Sequence, residues 1–277
     1  MLYLCATPIG NLEDMTFRVI NILKSVDLIA AEDTRNSIKL LNHFDIHTPM
    51  TAYHEFNKIE KGKELVDFML NGKSVALITD AGMPGISDPG EELVKMSRAA
   101  GIDVTIAPGA CAAVSALAIS ALSTRRFSFE GFLPVDKKEQ RRVLDEMKNE
   151  TRTMIVYEAP HRLLKTLELL MTELGDREMS VVKELTKKHE NTYTGTIQKH
   201  IAYFTENEPK GEYVLVIKGK DVSEIEKENA AKWETMTIPE HVKMYIEQGI
   251  DKKEAMRMAA RDRGVSKRDI YNAMLDE

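Results

Sequence analysis

From residue 2 to residue 122 the chain alternates short apolar, often β-branched runs with helical spacing, and that alternation permits few folds. Strands are predicted at 2–6, 27–31, 48–53, 74–79 and 103–107, and helices at 17–26, 35–44, 58–70, 91–100 and 110–122. Repeated strand–helix units of this kind build a mostly parallel sheet with helices on both faces. The cores must be aliphatic, because aromatic residues make up only 6% of the chain and Trp233 is its single tryptophan.

The register changes across Phe127-Ser128-Phe129-Glu130-Gly131-Phe132-Leu133-Pro134. Beyond it a charged helix at 137–150 leads into a strand at 153–158 and a helix at 161–174. Strands at 179–185, 191–196 and 212–218 lie close together, which suits a mixed or antiparallel sheet. After residue 223 the strands vanish, and helical spacing at 239–248, 252–263 and 266–275 stops at Gly249 and Gly264. The expected organisation is an α/β domain at 1–133, an α+β domain at 134–222 and a tail of two or three helices at 223–277.

Several classes are excluded. A net charge of −6 argues against a wholly basic nucleic-acid coat, though not against a local basic face. Cys5 and Cys111 share no CxxC or zinc spacing, and the seven histidines form no HExxH pattern, so neither a disulfide scaffold nor a metal site is expected. The uncharged stretch 104–124 is broken by Pro108-Gly109 and reads as strand, turn and buried helix rather than a membrane span. With no basic leader before the first strand, a soluble cytoplasmic protein is expected.

The densest chemical signal is TDAGMPGISDPG at 79–90, directly after the apolar run Val75-Ala76-Leu77-Ile78. Loops leaving the carboxyl ends of sheet strands are where α/β proteins bind ligands. Glycines and prolines fix such a loop and let its backbone approach a ligand closely. A simple helix cap would need one or two of these residues, Asp88 or Ser87, not twelve. Asp80, at the strand end inside the loop, reads as a ligand-facing acceptor. Two further turns are short, Thr7-Pro8-Ile9-Gly10-Asn11 and Ala107-Pro108-Gly109-Ala110-Cys111-Ala112-Ala113, the second built of small residues alone. None matches GxGxxG, and no Walker A loop is present.

Acidic residues stand at other strand ends. Ala31-Glu32-Asp33-Thr34-Arg35 places two carboxylates beside an arginine, able to take a proton or orient a polyol, or to cap a helix. His54-Glu55, Tyr157-Glu158-Ala159-Pro160-His161-Arg162 and Lys183-Glu184-Leu185 have the same placement.

These residues resemble a known family. The order LYLCATPIGNLEDMTFR, AEDTR, TDAGMPGISDPG, PGACAAVSAL, YEAPHR, KELTKKHE and GEYVLVIKG is similar to that of the ribosomal RNA small subunit methyltransferase I family. That family sits in the tetrapyrrole methylase superfamily, and the likeness runs the length of the chain. Where the superfamily commonly has Gly-Asp-Pro, this chain has Thr79-Asp80-Ala81. The resemblance implies two α/β domains of the class III methyltransferase type with a helical appendage, binding S-adenosylmethionine between them, usually as a homodimer. It implies cofactor contacts at Pro8, Ile9, Gly10, Asp80, Gly82, Met83, Ser87, Cys111, Ala112, Tyr157, Leu185 and Tyr213. The implied reaction is methylation of the 2′-oxygen of a cytidine in the decoding region of 16S rRNA, free or within the 30S subunit.

A ribose hydroxyl is a weak nucleophile and needs a proton acceptor. Glu32, Asp33 and Glu184 are the candidates, the first two ranked higher for their place beside Arg35. RNA contacts are expected from Arg35, His54 and Arg162, and from the tail's Lys252, Lys253, Arg261, Lys267 and Arg268. The tail holds seven cations between Lys252 and Arg268, and Gly264-Val265-Ser266 resembles the turn of a helix-turn-helix. Two other readings stay open. One is a tetrapyrrole or other small-molecule methylase of the same fold, and the second is a non-enzymatic RNA-binding or ribosome-assembly factor.

Overall fold

In a computed structural model, which describes residues 1–233 and 236–275, five strands run parallel in the order β3-β2-β4-β1-β5. They are β1 (Leu2–Cys5), β2 (Leu28–Ala31), β3 (Met50–Ala52), β4 (Val75–Ile78) and β5 (Val104–Ala107). The central β4 is buried at every residue, as a parallel strand covered on both faces must be. Helices α1 (Phe17–Ser25) and α2 (Thr34–His43) place Val19, Leu23 and Leu41 on one face against Ile29, Ala31 and Ile78. On the other, α3 (Lys58–Leu70) and α4 (Gly90–Ala99) bring Leu65, Met69 and Leu93 against Leu2, Leu4 and Leu77.

The helix α5 (Ala112–Ile119) leaves this sheet and packs on the next one. Ala113, Ala116 and Leu117 meet Ile155, Val182, Val214 and Val216 of a second five-stranded sheet, ordered β6-β7-β10-β8-β9. Its strands are β6 (Phe127–Phe132), β7 (Thr153–Glu158), β8 (Glu178–Lys183), β9 (Asn191–Thr196) and β10 (Tyr213–Ile217). Only β6 and β7 pair in parallel; the remaining pairs are antiparallel.

Side chains alternate across this sheet with period two. Met154, Val156, Val181, Leu215 and Ile217 face a core built with α6 (Lys137–Lys148), α7 (Pro160–Leu174) and α8 (Ile197–Glu206). Ile155, Val182, Val214 and Val216 face the other way, toward α5.

Phe127–Phe132 pairs with β7, so the second sheet begins at Phe127, within the segment 1–133 expected for the first domain. The strand was masked in the sequence by a bulge between Phe129 and Gly131, where Gly131 takes φ 64° and the alternation breaks. Helix α8, a single amphipathic stretch between strands, was also unread.

The tail contains α9 (Val222–Lys232), α10 (Ile238–Glu247), α11 (Lys252–Arg263) and α12 (Lys267–Ala273), one helix more than expected among the described residues. Positions 234, 235, 276 and 277 of the expected tail lie outside those residues. Val242, Ala255, Ala259, Ala260 and Ile270 form its own small core. Gly264, at φ 63°, closes α11, and Ser266 opens α12 with a reciprocal capping box to Asp269. Arg263, counted among the surface cations, instead turns inward, donating to His241 Nδ1 at 3.1 Å and to the Thr237 carbonyl at 3.0 Å. No helix among the described residues is long and apolar enough to cross a membrane.

Leu215 is fully buried at the centre of the second sheet. Leu215→Ala should lower the stability of that domain by about 2–5 kcal/mol, read as an earlier urea transition by circular dichroism.

Candidate active site

Parallel strands end on one edge, so the loops after β1, β2, β4 and β5 gather there. Two of them are joined directly. Thr7 N–H donates to the Gly82 carbonyl at 2.9 Å, and Gly82 N–H donates to the Thr7 carbonyl at 3.1 Å. The buried Thr7 hydroxyl adds a bond of 3.0 Å to the Thr79 carbonyl. Gly82 and Gly85 take φ of 83° and 86°, a region that side chains rarely enter. Asp88 then folds the loop back, its carboxylate accepting from Gly85 N–H at 2.9 Å and Gly90 N–H at 2.7 Å. The loop therefore both caps α4 and holds a shape of its own.

Across from this edge stands the inner face of the second sheet, which α5 covers only in part. The gap between them is a cleft of about 460 Å³. Ile9, Gly82, Met83, Ser87, Cys111 and Ala112 line it from the first domain, and Tyr157 and Leu185 from the second. The Tyr157 hydroxyl reaches across to accept a 3.0 Å hydrogen bond from Ala113 N–H, an otherwise unpaired donor in the first turn of α5. Burial pushes the Tyr157 phenol up to about 12, so it stays neutral.

Four of the expected cofactor positions fit less directly. Tyr213 borders the cleft, but its ring packs on Phe204 and its hydroxyl accepts from Lys210 N–H at 3.1 Å. Pro8 and Gly10 stand outside the lining. Gly10 lies so close beneath Lys187 that a Cβ would overlap its side chain. Asp80 also turns away, accepting from Asp33 N–H at 3.2 Å at the start of α2. Burial, then the neighbouring Glu32, raises the Asp80 carboxyl above its ordinary range.

The three candidate proton acceptors are sorted by their partners. Asp33 caps α2 and is gripped by Arg35, with Nε to Oδ1 at 3.1 Å and Nη2 to Oδ2 at 2.8 Å. Hydrogen bonds from Arg35 hold it down to about 2, making it a poor base. Glu184 sits outside the cleft lining, bonded to Lys187 Nζ at 2.9 Å and Glu212 N–H at 2.9 Å. Burial alone would raise its carboxyl, but these two donors outweigh it and leave the group below its usual range. Glu32 lines the cleft, and one of its oxygens accepts the Thr79 hydroxyl at 2.6 Å.

The expected RNA contacts also separate. Arg162 is committed to structure, reaching buried Glu158 at 3.3 Å and the Leu133 carbonyl at 2.8 Å. His54 is half-buried and its Nδ1 is enclosed without a hydrogen-bond partner among the described residues. Arg35 is exposed but paired. Lys252, Lys253, Arg261, Lys267 and Arg268 are exposed on α11 and α12. Sequence reading missed Phe132, Glu158 and His161 as cleft residues; the strand-end placement of YEAPHR was the available signal for the latter two.

The lining suits S-adenosylmethionine. Its walls are apolar at Ile9, Met83, Ala112 and Leu185, wide enough for a flat ring, and its charged side chains are Glu32, Asp88, Glu158 and Glu212. No Lys or Arg lines it among the described residues. A cationic ligand is favoured there over a phosphate-rich dinucleotide.

Residues 1–200 match the family model described as Tetrapyrrole (Corrin/Porphyrin) Methylases. The chain is 50% identical over 271 residues to the ribosomal RNA small subunit methyltransferase I of Halalkalibacterium halodurans, covering 98% of this chain and 93% of that one. A Thermotoga maritima protein of the same name is 43% identical over 220 residues, covering 79% of this chain and 99% of its own. In fold, the chain is similar to uroporphyrin-III-C-methyltransferase from Thermus thermophilus, with a TM-score of 0.56 at 17% identity, over 78% of this chain and 93% of that one.

A Cβ on Gly90 would stand 2.7 Å from Asp88 Oδ1 and 2.8 Å from Leu77 Cδ2. Gly90→Ala should therefore cost about 1–3 kcal/mol in a urea titration and weaken S-adenosylmethionine binding measured by calorimetry. Unchanged affinity would mean that this loop does not hold the cofactor.

Proposed function

The chain belongs to the tetrapyrrole (corrin/porphyrin) methylase family and, within it, to the ribosomal RNA small subunit methyltransferase I branch, and from this we propose that it methylates the 2′-oxygen of a cytidine ribose in the decoding region of 16S rRNA, using S-adenosylmethionine. The observation that carries the reading is the cleft itself: apolar walls, a rigid glycine loop, and Glu32 as the lining carboxylate that is not committed to a cation or a helix cap. Ile9, Gly82, Met83, Cys111, Ala112 and Leu185 would hold the cofactor. Bound there, it supplies an electrophilic sulfonium methyl group.

The chain's own work is to bring one hydroxyl into line and receive its proton. The walls from both domains exclude water, so orientation contributes most of the acceleration. Glu32 accepts the ribose proton. The Thr79 hydroxyl holds one of its oxygens in place at the cleft wall. Asp33 and Arg35 act as a fixed pair that shapes the start of α2.

The small-molecule alternative is disfavoured by the same lining. A tetrapyrrole bearing several carboxylates needs cationic partners, and the cleft offers carboxylates. A homodimer belongs to this reading; Phe17 at 87% exposure and Phe56 at 97% are apolar surface that a second copy would cover.

Methyl transfer to isolated 30S subunits, mapped to the modified nucleotide, tests the assignment against transfer to a uroporphyrinogen-type substrate. Glu32→Gln should slow single-turnover transfer by about 100-fold or more while leaving cofactor affinity unchanged. Asp33→Asn should leave the rate within a few-fold. A reversal of the two results would move the proton acceptor to Asp33.

A further inference from the structure

A cleft lined by no Lys or Arg among the described residues cannot by itself hold a polynucleotide, whose affinity comes largely from phosphate contacts. The flanking nucleotides must be gripped elsewhere. The exposed cations of the tail are one place. The Thermotoga maritima relative, however, matches nearly its whole length to 79% of this chain, leaving unmatched about as many residues as the tail holds. A grip within the two-sheet body is therefore to be sought.

The opposite end of the second sheet carries one. Where β6, β7 and β8 begin and β10 ends, a hollow of about 410 Å³ is lined by Arg125, Arg126, Arg152, Lys218 and Lys220, with Glu178 and Asp221 as its acids. Three of these cations are already matched. Arg152 pairs with Glu150, Lys218 with Glu178 and Asp221, and Lys220 with Glu228. Arg125 and Arg126 are exposed and make no ion pair or hydrogen bond through their guanidinium groups among the described residues.

Their backbone is nevertheless fixed. The Thr153 hydroxyl donates to the Ser123 carbonyl at 2.7 Å, and Thr153 N–H donates to the Arg126 carbonyl at 3.3 Å. Across the hollow, Gly219 lies so close to the Thr151 and Arg152 backbone that no Cβ fits there. Two unpaired guanidinium groups on a clamped segment suit the forked recognition of phosphate oxygens.

We propose that Arg125 and Arg126 form a phosphodiester-binding site for the RNA strand that leaves the cleft. The inference rests on the rRNA methyltransferase reading and adds to it where the strand is held. The span fits. β7 begins in the hollow at Thr153 and ends in the cleft at Glu158, on the order of 17 Å along a strand, or several nucleotides of a backbone rising about 3.4 Å each.

The test compares wild type with Arg125→Ala/Arg126→Ala and Arg125→Lys/Arg126→Lys, using 30S subunits and a 16S rRNA fragment as probes. The alanine pair should bind the fragment about 10-fold more weakly and flatten the slope of log K against log salt by about 1.4–1.8, two phosphates' worth. Calorimetric S-adenosylmethionine affinity should not change. The lysine pair should keep the salt slope while losing part of the affinity. Unchanged RNA affinity and slope in the alanine pair would overturn the site. Protection of wild type, but not the alanine pair, by millimolar inorganic phosphate with RNA affinity intact would also overturn it, marking a free-anion site. Transfer by wild type to 30S subunits is scored separately, so a failure of the rRNA reading is seen in the wild type and a failure of the site only in the variants.

Discussion

Thr7 and Gly82 exchange two backbone hydrogen bonds just beyond the ends of β1 and β4, and the cleft depends on that exchange. Without it the segment from Ala81 to Met83 would lose its tie to the turn after β1. With it, the loop is pinned near its middle, Asp88 draws its far end back to Gly85 and Gly90, and Tyr53 donates its hydroxyl to the Pro89 carbonyl at 3.1 Å. Conformational freedom is removed before any ligand arrives, so less of the binding free energy goes into ordering.

The opposite wall follows from a shortage of helices. The first sheet is covered on both faces, and the second is fully covered on one face only. α5 shields part of the inner face, and Val182, Val214 and Leu185, which pack in the cluster around it, also line the cleft. Apolar area that would otherwise be a liability thereby becomes a surface for a ligand. Phe129 and Phe132 pack edge-on against Tyr157, with centroids 5.0 and 5.6 Å away, and keep that wall rigid.

Much of this was legible from residues alone because period two and period 3.6 dominate the chain. The β/α alternation gave the parallel sheet, and glycine density marked the loop at 79–90. What escaped was what local spacing does not encode. Gly131 hid β6 by breaking its alternation. The order of site residues could not reveal where a carboxylate turns. Asp80 and Asp33 look equivalent to Glu32 in a list of strand-end acids, yet a backbone N–H and a guanidinium claim them. Arg162 and Arg263 read as surface cations and are interior clamps, because arginine's reach lets it satisfy groups far from its own backbone.

The hydrogen bond from Ala113 N–H to Tyr157 also orders events in time. α5 is synthesised with the first domain, but its start is capped by β7 and its small-residue face is buried against β8 and β10. During synthesis the helix emerges from the ribosome long before those strands and must wait, with an apolar face exposed, for the chain to extend through Ile217. The two sheets are thus not independent folding units. The last strand of the second completes a helix that the first began, and the vectorial order of translation sets the interval in which the nascent chain is most open to chaperones.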